Sequence, residues 1–174
     1  VLHRLVLHHG QPLPAESGGY SRPAWNGHAP LADQPDSAGW LTGLTHAFPT
    51  PDALASLDPA VLPMPRARGR ALVGLAVALA DGSLALDSGP DRARTRARLL
   101  DLPGIGDWTA SYIALRALGD PDAFLPTDLG TRHALAGLGA DPADAAGLAE
   151  AWRPWRSYAQ SLLWTTLLDP KEAP

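Results

Sequence analysis

The sequence of 174 residues contains no cysteine, and that absence removes several chemistries at once. It excludes disulfides, a cysteine nucleophile, thiolate zinc sites and iron–sulfur clusters held by four cysteines. Lysine is nearly absent as well: 13 of the 14 basic residues are arginine, and the one lysine is Lys171, fourth from the C-terminal end. A lysine Schiff base is thereby almost excluded. No apolar run approaches the roughly 18 residues that a bilayer helix needs, so no membrane partner is expected. Charged residues make up 18% of the chain and the net charge is −4, which argues mildly against non-specific binding of a polyanion. The charge is uneven, however. From Arg66 to Arg98 seven arginines stand against three aspartates, a local excess of four positive charges.

What is present is ordinary for a globular domain: 45% hydrophobic residues, with 17 glycines and 18 prolines that are concentrated locally. No secretory signal is visible, and the chain opens at Val1, without methionine, in a pattern that reads as the end of a helix reaching His9 and stopped by Gly10. It reads as a truncated chain. Ten prolines lie between Gly10 and Pro65, so residues 11–50 are expected to be largely loop. Helices are predicted over Pro51–Leu57, Ala71–Ala80, Pro90–Leu100, Asp107–Leu118, Thr127 or Asp128 to Gly137, Pro142–Glu150 and Pro154–Leu168. No segment alternates with period two, so the fold class is all-α.

Between two of these helices sits Leu102-Pro103-Gly104-Ile105-Gly106, a connection too short and too rich in glycine for an ordinary link. Two glycines spaced by one residue bare their backbone N–H groups beside the positive end of the next helix. That arrangement suits an anion, most readily a phosphate, although a tight turn between helices uses the same residues. Asp128 after Pro126-Thr127 suits a helix cap. Trp108 and Tyr112 fall on one helical face, as core aromatics or as the wall of a pocket. Arg92, Arg94, Arg96 and Arg98 step by two and wrap around their helix, reading mostly as a solvated face with a chance of a phosphate contact. Arg132 could pair with a carboxylate or meet a phosphate backbone, and His133 reads as surface.

The string from Leu99 to Ala110, continued by Tyr112-Ile113-Ala114-Leu115-Arg116 and by Asp122-Ala123-Phe124-Leu125-Pro126-Thr127-Asp128, closely resembles the helix-hairpin-helix DNA glycosylases. Within them it resembles the bacterial 3-methyladenine DNA glycosylase II branch. A second string, Trp152-Arg153-Pro154-Trp155-Arg156-Ser157-Tyr158-Ala159, extends the likeness to the last helix, and Met64-Pro65 with Arg68 extends it backwards. The resemblance implies a helical bundle over residues 1–174, with its hairpin motif at residues 91–118. It also implies a monofunctional glycosylase of base excision repair, which flips an alkylated purine out of double-stranded DNA and hydrolyses the N-glycosidic bond.

Carried over residue by residue, the resemblance makes Asp128 the catalytic carboxylate and places Trp108, Tyr112 and Trp164 around the base. Leu102, Pro103, Gly104, Ile105, Gly106 and Thr109 would form the phosphate-binding hairpin. The backbone carbonyls of Leu100, Leu102 and Ile105 would hold a structural Na+ or K+. No cofactor for the chemistry is implied. In the superfamily's lyase branch the position of Trp108 carries the nucleophilic lysine, so tryptophan here implies a glycosylase without lyase chemistry. A monomer in the bacterial cytoplasm, associated with the nucleoid, is expected.

The chain departs from the family in three ways. Asp107 stands where relatives often carry a basic residue and is expected to weaken phosphate affinity. Residues 18–40 look like an inserted surface loop. The N-terminal domain, further helices and the loop whose apolar residue wedges into the DNA would precede Val1, so the chain is expected to lack them. A second reading follows from that: a non-enzymatic helix-hairpin-helix module that binds DNA, or an inactive fragment.

Overall fold

The computed structural model describes residues 2–13, 45–86 and 91–167. The expected insertion at 18–40 and Lys171 lie outside them. The described residues form eight α-helices and one 3-10 turn with no strand, in agreement with the all-α expectation. The chain divides into two compact units, Val1–Ala76 and Val77–Pro174.

The first unit opens with α1, Leu2–His9, closed at Gly10, where an added Cβ would strike the carbonyl oxygens of Ala47 and Val6. Of the loop expected at 11–50, residues 14–44 lie outside the described residues; one antiparallel bridge joins the flanking ones, Leu13 N–H to Thr45 O and Ala47 N–H to Gln11 O, both at 2.8 Å. Thr50 caps α2, Pro51–Ala55, with its hydroxyl. Helix α3, Arg66–Ala80, begins five residues before the expected Ala71. Gly69 belongs to its first turns because a side chain there would press on the Pro59 carbonyl, so a residue that looks like a helix breaker is a packing requirement. Leu5, Leu54, Leu62 and Ala76 form the core of this unit. Burying each leucine is worth about 1.5–3 kcal/mol.

In the second unit, Asp91 caps α4, Arg92–Asp101, by accepting the Arg94 N–H at 3.1 Å. Leu102 ends it in extended backbone, as a residue before proline must, and Gly104 at φ +88° turns the chain back. Ile105 is buried, and Gly106 opens α5, Asp107–Arg116. Ala110 and Ala114 are fully buried on α5, and such small side chains let a neighbouring helix approach closely; α4 and α5 pack together. Helix α6 spans Leu129–Gly137. The stretch expected as one short helix splits into a 3-10 turn, Pro142–Asp144, and α7, Ala145–Glu150. Helix α8, Arg156–Thr165, starts two residues after the expected Pro154 and packs on α6. Its core holds Phe124, Ala134, Leu135, Ala145, Ala149 and Leu163, with Trp152 edge-on to Phe124.

The second string of the sequence resemblance has a mechanical role. Arg156 grips Asp122 with two hydrogen bonds of 2.7 and 2.8 Å, and Arg153 adds a third at 2.6 Å. Ser157 donates to the Ala123 carbonyl, and its N–H donates to the Pro121 carbonyl. Together these fasten the start of α8 to the turn that leads into Asp128.

Candidate functional site

Asp128 is the N-cap of α6, its backbone extended at φ −66° and ψ 132° and its Oδ2 accepting the Thr131 N–H at 3.0 Å. The capping expectation is therefore correct, and it describes only part of what the carboxylate does. Trp164, on α8, donates its indole N–H to the same Oδ2 at 2.9 Å. Trp108, on the first turn of α5, donates its indole N–H to Oδ1 at 3.1 Å. Three helices thus converge on one carboxylate.

The two indoles are joined through a third ring. Tyr112, one turn after Trp108, stacks on it with centroids 5.2 Å apart and planes 13° apart, and lies 6.2 Å from Trp164. Asp128, Trp108, Tyr112 and Trp164 therefore close a circuit in which each side chain touches the next. Trp108 is 42% exposed, so the circuit presents an aromatic surface rather than a sealed core.

Gly130 makes the closure possible. A Cβ there would lie 3.1 Å from Asp128 Oδ2 and 3.2 Å from Trp164 Cδ1. The sequence signal that could have found it is a glycine just inside a helix, where alanine is the better helix former.

Burial is the largest single influence on the Asp128 carboxyl and pushes its pKa up. The donors from Trp164, the Thr131 N–H, Trp108 and the Thr131 hydroxyl together outweigh it and hold the carboxyl below the usual aspartate value. Asp128 is therefore ionised at neutral pH. It can stabilise positive charge, and it is not a proton donor there.

The hairpin residues stand together at the α4–α5 junction. Gly106 caps α5 with no side-chain acceptor, so the first N–H groups of the helix have no side-chain cap. Its backbone is extended at φ −94°, and nothing lies within 4 Å of where a Cβ would be. Neither conformation nor packing requires glycine at this position. What remains is open approach from outside.

Two readings of the charges change. Asp107 pairs with Arg96 and does not stand bare beside the hairpin. The arginines of α4 are not simply a solvated face: Arg92 donates to the Leu118 carbonyl at 3.0 Å, and Arg98 donates to the Ser83 carbonyl at 2.6 Å. A surface arginine has a long reach, and orphan carbonyls at chain turns capture it. Arg132 and His133 are exposed.

A cleft of about 300 Å³ lies among Arg96, Asp107, Ser111, Asp122, Phe124 and Arg156, and neither Asp128 nor the three aromatics line it. Among the described residues no group of three or more His, Asp or Glu could hold a metal ion, and no helix is long and apolar enough to cross a membrane.

No protein-family profile matches the chain. It is 53% identical over 130 residues to the probable bifunctional transcriptional activator/DNA repair enzyme AlkA of Mycobacterium tuberculosis, covering 73% of this chain and 26% of that protein. It is 42% identical over 122 residues to DNA-3-methyladenine glycosylase 2 of Escherichia coli, covering 68% of this chain and 43% of that one. The chain is homologous to part of the AlkA and DNA-3-methyladenine glycosylase 2 proteins. It spans less than half the length of these relatives. Among solved structures, the 3-methyladenine DNA-glycosylase from Archaeoglobus fulgidus superposes with a TM-score of 0.62 at 19% identity, over 92% of this chain and 48% of that one. MBOgg1, solved in complex with a low-affinity DNA ligand, superposes with a TM-score of 0.61 at 18% identity, over 94% of this chain and 50% of that one. The fold is therefore that of the helix-hairpin-helix glycosylases, as the sequence resemblance implied.

Proposed function

We propose that this chain is the part of a monofunctional DNA glycosylase that carries the catalytic aspartate, the aromatic base pocket and the DNA-binding hairpin. The observation that carries the reading is the Asp128 carboxylate, held ionised between the indole N–H groups of Trp108 and Trp164. A module that only bound phosphate would need the hairpin and would have no use for that arrangement.

The reaction is hydrolysis of an N-glycosidic bond. The bond between C1′ and the base breaks, and the electron pair leaves with the base. A water oxygen then bonds to C1′, and its proton passes to solvent or to the departing base. Positive charge builds on the sugar, and the fixed negative charge of Asp128 stabilises it without the reorganisation that water would require. A purine alkylated on its ring nitrogen is already cationic and leaves as a neutral base, which suits a site whose carboxylate is not a proton donor. The same cation is attracted to electron-rich ring faces, each worth about 0.5–2 kcal/mol, and Trp108, Tyr112 and Trp164 supply those faces.

Duplex DNA containing alkylated bases is the proposed partner, approached through the backbone N–H groups from Leu102 to Thr109. The carbonyls of Leu100, Leu102 and Ile105 fit a structural monovalent cation. Leu100 is among the last four residues of α4, whose carbonyls lack helical partners, and Leu102 O keeps a lone pair beside its bond from Ile105 N–H. Such an ion would screen the phosphate from the carbonyl dipoles. Monomeric action in a bacterial cytoplasm belongs to the same proposal.

The test is release of free base from methylated duplex DNA by the whole protein, beside its Asp128→Asn variant, with borohydride present in a parallel reaction. The expected result is base release that leaves the strand intact and traps no adduct. A protein–DNA adduct trapped by borohydride, or base release undiminished in Asp128→Asn, would overturn it.

A further inference from the structure

Behind Asp128 lies a buried polar pair that its chemistry alone does not call for. Gln160, on α8, and Thr131, on α6, are both fully buried. The Gln160 carbonyl Oε1 accepts the Leu125 N–H at 3.0 Å, its Nε2 donates to Thr131 Oγ1, and Thr131 Oγ1 donates to Asp128 Oδ2 at 3.3 Å. No buried side-chain polar atom among the described residues is left without a partner.

The direction of this chain is dictated by what each group can do. A backbone N–H only donates, so the Gln160 oxygen must face Leu125, which turns the amide NH2 toward Thr131. That NH2 also only donates, so the Thr131 oxygen accepts. The hydroxyl's own proton is then left for Asp128. One main-chain N–H thereby sets the orientation of a hydroxyl two links away.

The result is an asymmetric carboxylate. Oδ2 takes three donors, the N–H and hydroxyl of Thr131 and the indole of Trp164, whereas Oδ1 takes only the indole of Trp108. Every hydrogen-bond donor to the Asp128 carboxylate from α5, α6 and α8 is neutral: two indoles, an amide and a hydroxyl. The orientation of the carboxylate therefore rests on hydrogen-bond geometry, with no ion pair to hold it.

We propose that Gln160 is a positioning residue that acts through Thr131, fixing its hydroxyl as a donor to Oδ2 so that Oδ1 is the oxygen presented to the reacting sugar. This rests on Asp128 being the catalytic carboxylate. Two uncharged residues on different helices, 29 positions apart, then belong to the machinery without touching substrate.

The experiment follows the Asp128 carboxyl directly, by 13C titration of the labelled side chain, and single-turnover base release against pH, both in the whole protein. Thr131→Val removes the hydroxyl, Thr131→Ser keeps it, and Gln160→Leu removes what orients it. Thr131→Val and Gln160→Leu should each raise the titration midpoint of Asp128, carry the acid limb of the rate upward with it, and slow base release several-fold at neutral pH. Thr131→Ser should restore wild-type behaviour. Gln160→Leu should add nothing in a Thr131→Val background, because its effect passes through that hydroxyl. A midpoint and acid limb unmoved in Thr131→Val, or an additive double variant, would overturn the proposal. If Gln160→Leu does not fold, the Thr131→Val and Thr131→Ser pair decides alone. Base release that survives Asp128→Asn would remove the catalytic reading, while the carboxyl titration would still judge the hydrogen-bond chain by itself.

Discussion

Trp164 reaches across 36 residues of sequence to place its indole N–H 2.9 Å from the Asp128 carboxylate. The ring that would stack on a cationic base and one of the donors that lower the Asp128 pKa are the same side chain. Two functions usually assigned to separate residues are thus coupled, and substitution can separate them. Trp164→Phe keeps an aromatic face and removes the N–H. It should raise the pKa of Asp128 and slow excision of cationic and neutral lesions alike, by about tenfold for one lost bond to a charged group. Trp164→Ala removes the face as well, and should cost cationic lesions a further several-fold. Single-turnover excision on duplexes carrying each lesion type measures both, and equal losses for the two lesion types in Trp164→Ala would refute the stacking argument.

Asp128→Asn separates charge from capping. Asparagine is as good an N-cap as aspartate, so α6 should persist and the melting temperature should move little. The match is imperfect: an amide nitrogen in place of one oxygen meets a donor, and one indole N–H loses its acceptor. Base release should fall on the order of a hundredfold, as when one preorganised electrostatic group is lost. Asp128→Ala should add a loss of about 1 kcal/mol in stability for the missing cap. Melting curves and single-turnover rates on both variants test this, and near-normal excision by Asp128→Asn would confine the residue to capping.

Acid should weaken the second unit through carboxylates held low in the folded state, Asp122 and Asp128 among them. The hydrogen bond from Arg156, opposed by burial and joined by the charges of Arg156 and Arg153, holds Asp122 below its ordinary 3.8, and Asp128 is also held low. A carboxyl with a depressed folded pKa contributes stability that is fully present above its unfolded value and lost as pH falls through the folded one. Stability should therefore be flat from neutral pH down to about 5 and decline below about 4. Asp122→Ala should lose about 1–2 kcal/mol at neutral pH, a bidentate arginine pair discounted for partial exposure, and show a shallower acid decline. Urea melts of wild type and variant across that range check it, and parallel declines would rule Asp122 out.

These relationships differ in how far the sequence disclosed them. The Gly-x-Gly hairpin, the Asp128 cap and the i, i+4 pairing of Trp108 with Tyr112 are local, and spacing alone places them. Trp164 could be assigned to the base pocket only by resemblance, because nothing in its own neighbourhood says which of α8's faces meets Asp128. Thr131 and Gln160 gave no signal: each is a neutral polar residue in a helix, unremarkable until α6 and α8 pack. The carbonyl partners of Arg92 and Arg98 on α4 escaped for the same reason. Helical spacing tells which way a side chain leaves the backbone, and not which carbonyl or carboxylate the fold brings within its reach. The early start of α3 escaped because the Gly69 contact with Pro59 is tertiary.

The hairpin offers a test in which two glycines should behave oppositely. Gly104 sits at φ +88°, where an L side chain is strained, so Gly104→Ala should destabilise the protein by about 1–2 kcal/mol and weaken DNA binding with it. Gly106 sits at φ −94° with open space around it, so Gly106→Ala is compatible with the fold; the reduced freedom of the unfolded chain and alanine's poorer capping of α5 oppose each other, and stability should change by no more than about 0.5 kcal/mol. Its effect should fall on what comes from outside. A methyl at the uncapped end of α5 stands where a phosphate oxygen would approach the N–H groups, so duplex affinity should drop for damaged and undamaged DNA alike. Because few side-chain charges take part, the slope of affinity against salt should change little. Binding titrations at two salt concentrations, on both kinds of duplex and beside melting curves, separate these outcomes. A loss confined to damaged DNA would move Gly106 to the base pocket, and unchanged affinity with normal stability would remove the hairpin end from the DNA interface.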